Sequence, residues 1–161
     1  MGKRGQILKR FSLVLATLWA LPAWAETCRE DEVHLRGDWG QARFTVDIAD
    51  EPEERGRGLM HVPEMAQSRG MLFLYDAPHN ATFWMKNTLI PLDMIFVGED
   101  GVVTHVHENA IPHDETIIDG GNGVIAVLEI NGGLSERFGI GPGDALRHPG
   151  LDQDIAAWPC E

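Results

Sequence analysis

Between residues 41 and 48 the chain alternates. Ala42, Phe44, Val46 and Ile48 share one side, and Gln41, Arg43, Thr45 and Asp47 share the other. Period two is the mark of a strand with one face buried. Residues 70–75, 81–86, 93–97 and 102–107 read as further strands, and the apolar run 124–130 as another. Asp100-Gly101, between two of these runs, predicts a tight hairpin turn. Asp119-Gly120-Gly121-Asn122-Gly123 predicts a second turn leading into the strand at 124–130. Helix is sparse. Residues 51–59 are charged, with Asp50 placed to cap and Pro52 in the first turn, and residues 132–138 could form a second short helix. Many short strands, frequent turns and one or two short helices predict a mainly β, compact, barrel- or sandwich-like single domain.

The first 25 residues do not belong to that pattern. Lys3, Arg4, Lys9 and Arg10 precede an apolar stretch at 11–21, then Pro22 and Ala23-Trp24-Ala25. A basic start, an apolar centre and small residues at the end make a secretory signal with cleavage expected after Ala25. The stretch falls short of the roughly 20 residues that span a bilayer. Cys28 is preceded by Glu26-Thr27, which does not suit a lipid-attachment site. The expectation is therefore a single β-rich domain over residues 26–161, periplasmic or secreted, with no stable membrane anchor.

Removal of that leader sharpens the charge. Four of the 13 basic residues lie in it and none of the 25 acidic ones do, so the formal net charge moves from −12 to −16. Such a field repels nucleic acid and anionic lipid. The chain's two cysteines, Cys28 and Cys160, lack CxxC spacing, and in an oxidising compartment they are most simply read as one disulfide.

The least ordinary stretch is Phe83-Trp84-Met85-Lys86-Asn87-Thr88, followed by Leu89-Ile90-Pro91-Leu92-Asp93. It sets polar residues and a lone acid against bulky apolar ones. Together with Arg57-Gly58-Leu59-Met60, Gly70-Met71-Leu72-Phe73, Val127-Leu128-Glu129 and Gly143-Asp144, in this order, the block resembles the domain of unknown function 192 family over about residues 42–148. The resemblance implies a compact, barrel-like β fold and frequent export. It implies no reaction and no catalytic residue.

Chemistry must then come from the residues. Trp84, Lys86, Asn87, Thr88 and Asp93 could line a ligand site, with the indole as an aromatic floor suited to a sugar, peptide or carboxylate. The alternative is structural, with Lys86 and Asp93 as an ion pair closing the 87–92 loop. A nucleophilic Lys86 is disfavoured, because an acid partner raises rather than depresses an amine pKa. His105 and His107, two apart on a strand, share a face with Val103 in this reading. They could begin a copper site with the methionines, although no closed ligand spacing is present. Neither GxSxG nor HExxH occurs. No cofactor is expected. Three readings follow. The first is a non-catalytic periplasmic binding or accessory domain for a small polar ligand or a periplasmic protein. The others are an enzyme using Asp93 or a histidine as acid or base, and metal binding through His105 and His107.

Overall fold

The computed structural model describes residues 27–160, together with Gly2; apart from Gly2, the expected signal sequence at 1–25 lies outside the described residues. Strands β1 (Glu32–Gly37) and β2 (Gly40–Ala49) form an antiparallel hairpin. The alternation at 41–48 is realised there: Phe44 and Val46 are buried while Arg43 and Asp47 are exposed. A short helix, α1 (Pro52–Arg57), then carries the chain across to β3 (Arg69–Phe83), which runs parallel to β2. The cap is Glu51, one residue later than expected. Its backbone is extended, and its N–H donates to the Glu54 carboxylate at 3.3 Å.

β4 (Leu92–Gly98) and β5 (Val103–Ala110) form the second hairpin, turning at Asp100-Gly101 as expected. Gly101 takes φ 74°, and the Asp100 carboxylate accepts the Val102 N–H at 3.1 Å. β6 (Ile118–Asn131), α2 (Leu134–Phe138) and β7 (Ala145–Arg147) complete the chain. The sheet order is β5-β4-β6-β3-β2-β1-β7. It curls into a half-barrel whose two ends touch through a bridge between Val102 and Ala145.

Both faces of this sheet are packed, which explains why every residue of β4 is buried. Ile95 and Val97 point into an inner core with Val33, Leu35, Phe44, Leu128 and Leu146. Leu92, Met94 and Phe96 point outward into a second core with Met71, Phe73, Met85 and Val127. Burying alternate residues on opposite sides turns one strand into the shared wall of two apolar layers.

Three expectations are corrected. Residues 119–123 are not a turn but part of β6, paired with the far half of β3 through a series of register shifts. Their glycines serve close approach and bulging instead: a Cβ on Gly120 would lie 2.1 Å from the Phe96 ring. The strands expected at 70–75 and 81–86 are one 15-residue strand, β3, which ends at Phe83 and leaves Trp84 to Lys86 outside it. His105 and His107 do not share a face with Val103. Phe96 pairs with His105 but Val97 pairs with Val103, so a bulge at Thr104 reverses the alternation. His105 therefore stacks on Phe96, centroids 5.7 Å apart, while Val103 enters the inner core.

The disulfide expectation is met. Cys28 and Cys160 are bonded, with Cα atoms 5.6 Å apart. The chain leading to Cys160 lies against β1 and β7, where Arg36 and Arg147 pack on the Trp158 ring at 4.4 and 4.5 Å. Among the described residues, no helix is long and apolar enough to cross a membrane.

Candidate functional site

The 83–93 block covers the outer core. Once β3 ends at Phe83, Met85 turns inward and is almost wholly buried, while Trp84 remains 46% exposed. Hydrogen bonds fix this arrangement on both sides. The Met85 N–H donates to the Asp114 carbonyl at 2.8 Å, and the His61 N–H donates to the Asn87 carbonyl at 2.9 Å. Thr88 bridges to Met60. Asn87 takes φ 54°, a left-handed conformation that asparagine tolerates better than most residues.

Between this block, α1 and the outer face of the sheet lies a cleft of about 240 Å³. Its walls include Arg55, Arg57, Leu59 and Met60 from α1 and the segment after it, and Phe73, Tyr75 and Phe83 from β3. Trp84, Thr88 and Glu129 complete it. Glu129 comes from near the C-terminal end of β6, opposite Met71 on β3 and Met94 on β4, and is 4% exposed. Loss of hydration pushes its carboxyl up to about 8, so at neutral pH it is mostly protonated. Among the described residues nothing hydrogen-bonds this carboxyl, and its displacement is due to burial alone. Burial also raises the Tyr75 phenol.

The two arginines differ. Arg55 is committed to the fold: it donates to the Asp50 carbonyl and, at 2.9 Å, to the Leu74 carbonyl, and lies 5.0 Å over the Tyr75 ring. The Arg57 side chain is exposed, and its guanidinium makes no hydrogen bond or ion pair with the described residues. A third cation is close by, for the Lys86 ammonium lies 5.0 Å from the Trp84 ring centroid.

Of the five residues expected to form a ligand site, Trp84 and Thr88 line this cleft. Lys86 is beside it through its contact with Trp84, and Asn87 is turned toward Met60, its side-chain amide 4.0 Å from the sulfur. Asp93 is elsewhere. It is fully buried on the opposite side of β4, where its carboxylate accepts the N–H groups of Asn109 (2.8 Å), Gly133 (2.9 Å) and Ser135 (2.7 Å). Lys86 and Asp93 form no ion pair, so the structural alternative of a charge pair closing the loop is also corrected. Asp93 instead ties β5 to the start of α2. His107 borders a separate depression with Met85, Ile111 and Ile117. Among the described residues, no group of three His, Cys, Asp or Glu side chains is placed to hold a metal ion.

Glu129, Tyr75 and the two arginines were not proposed as site residues from the sequence, although Arg57 and Glu129 stand in blocks that carry the family resemblance. Glu129 did leave a signal, as the one acid inside an otherwise apolar strand run, Val124 to Ile130. An unpaired acid in a two-sided buried strand is costly unless it opens onto a cavity or a partner.

Comparisons with known proteins accord with this architecture. A protein of unknown function from Novosphingobium aromaticivorans DSM 12444 is 46% identical over 71% of this chain and 82% of its own, with a TM-score of 0.70. A Sinorhizobium meliloti 1021 protein, described as a candidate transcription regulator, is 42% identical over 78% of this chain and 98% of its own, with a TM-score of 0.73. No curated protein matches. The family model for an uncharacterised ACR, domain of unknown function 192, matches residues 33–148, which include all of the strands but Glu32 of β1, both helices and the whole lining of the cleft. The chain belongs to the domain of unknown function 192 family.

Proposed function

We propose that the protein is an exported, non-catalytic binding or accessory domain, and that the cleft between α1, Trp84 and Glu129 is its ligand site. The observation carrying this reading is the Glu129 carboxyl, on an almost wholly buried residue, facing the cleft and without a hydrogen-bond partner among the described residues. Its oxygens open onto the cleft, so a ligand oxygen or nitrogen entering there can hydrogen-bond the carboxyl in place of solvent, and the exposed indole of Trp84 supplies apolar area beside it. Thr88 contributes a hydroxyl, and Lys86 and Asn87 shape the approach. Export accords with the Cys28–Cys160 disulfide, which oxidising compartments favour.

A thermal-shift screen of the purified protein against sugars, amino acids, short peptides and organic acids tests the binding reading. A ligand at 100 times its dissociation constant adds about 2.7 kcal/mol, several degrees in Tm. A hit abolished by both Trp84→Ala and Glu129→Gln is expected. Hits indifferent to both variants would move the site away from this cleft. Mass spectrometry of the secreted form, expected to start at Glu26, tests export.

A second reading, acid–base catalysis, draws on the same residue. A carboxyl holding its proton at neutral pH is chemically equipped to act as a general acid. Turnover of a glycoside or ester, lost in Glu129→Gln with binding retained, would favour it over simple binding.

A further inference from the structure

Charge around the cleft runs against the charge of the molecule. The chain carries 25 acidic residues against 13 basic ones, yet the lining holds two arginines and one acid, Glu129, with Lys86 just beyond Trp84. Arg55 is held by two backbone carbonyls, whereas Arg57 has its full guanidinium to offer. Guanidinium groups favour carboxylates, which they grip through two parallel hydrogen bonds. A protonated carboxyl such as Glu129 can donate to a ligand oxygen, and carries no charge that would repel an anion. The groups facing Glu129 across the cleft are the α1 arginines and the Tyr75 phenol of β3, none of them anionic at neutral pH. Glu51, Glu53 and Glu54 line a neighbouring depression that shares Arg57, but none of them pairs with it. The remaining wall is aromatic, with Phe73, Phe83 and the half-exposed Trp84.

Resting on the binding reading above, we propose that the cleft selects a small organic carboxylate built on a ring. Its carboxylate meets Arg57, its ring lies against Trp84, and a further ring oxygen or substituent accepts a hydrogen bond from Glu129. A sugar acid and an aromatic acid both have this chemistry, and the two are separated by experiment.

Isothermal titration of the purified protein at pH 6.5 and low salt, followed in parallel through the Trp84 indole N–H resonance, uses four probes. These are glucuronate, 4-hydroxybenzoate, the uncharged methyl glucoside and cyclohexylamine. At least one of the two carboxylates is expected to bind ten-fold or more tightly than both other probes, and the tighter one identifies the ring type. Arg57→Gln, an exposed position whose loss leaves the core intact, is expected to weaken that carboxylate about ten-fold while the methyl glucoside is unchanged. If the glucoside or the amine binds as tightly as the carboxylates at the Trp84 resonance, the preference for an anion is overturned and the binding cleft stands. If none of the four shifts that resonance, the anion preference and the cleft assignment fall together.

Discussion

Glu129 couples the cleft to the stability of the whole domain. Its carboxyl, with an ordinary value of 4.5, is pushed to about 8 by burial in the native state. Between those values the native protein keeps a proton that the unfolded chain has released. Unfolding therefore releases a proton, and stability falls as pH rises through this window, levelling above about pH 8. The slope is about 1.4 kcal/mol per pH unit, giving on the order of 5 kcal/mol across the window. Glu129→Gln keeps the shape of the side chain and removes the titration. At pH 5 the variant is expected to gain less than about 1 kcal/mol over wild type from this source, and at pH 7.5 about 4 kcal/mol, or roughly 12 °C in Tm for a domain of this size. Urea denaturation followed by tryptophan fluorescence, with the disulfide intact, measures the difference at each pH unit from 5 to 9. A gap that stays constant across that range would refute the argument, because it would mean that Glu129 ionises in the native protein as it does in the unfolded chain.

Other positions make independent predictions. Asp93→Ala strips three backbone N–H groups of their acceptor in a fully buried site and is expected to cost roughly 4 kcal/mol or more; a loss under 1 kcal/mol in urea would contradict that role. Ser135→Ala should do the opposite, since the Ser135 hydroxyl is buried with no hydrogen-bond partner among the described residues. A gain of about 1 kcal/mol is expected in the same assay. Gly120→Ala drives a methyl into the Phe96 ring and should destabilise by about 1–3 kcal/mol, with loss of the ring-current shift on His105 as an NMR signature. Cys160→Ser opens a 132-residue separation and should cost up to about 5 kcal/mol on the chain-entropy estimate, read from denaturation with and without reductant.

Local pattern made much of this fold legible. The alternation at 41–48, the Asp100-Gly101 turn and the cysteine pair each carry their own physical signature, and each is found where it was expected. What pattern could not supply was register. One extra residue at Thr104 reverses which side His105 faces, and no local propensity announces a bulge. The glycines at 120–123 look like a turn because glycine is common in turns. Their actual use is set by the Phe96 ring, a neighbour from β4 that is distant in sequence. The site shows the same division. Trp84 and Thr88 stood out through an unusual run of residue types, whereas Glu129 matters because of what surrounds it in space. Asp93 was visible as an exception, but an isolated acid reads alike whether it meets a ligand or three backbone amides.

The disulfide also sets an order of events during synthesis. Cys28 precedes β1 and Cys160 follows β7, so every strand and both helices lie between the two sulfurs. At about 5–20 residues per second, the first thiol waits roughly 7–26 s before its partner is made. β1 faces a similar, slightly shorter delay, because one of its two neighbours is β7. During that interval Cys28 has no incorrect partner within its own chain, which contains only these two cysteines. Oxidation can thus yield one intramolecular product alone, and the competing error is a bond between two chains. Oxidative refolding should accordingly need dilution rather than disulfide shuffling.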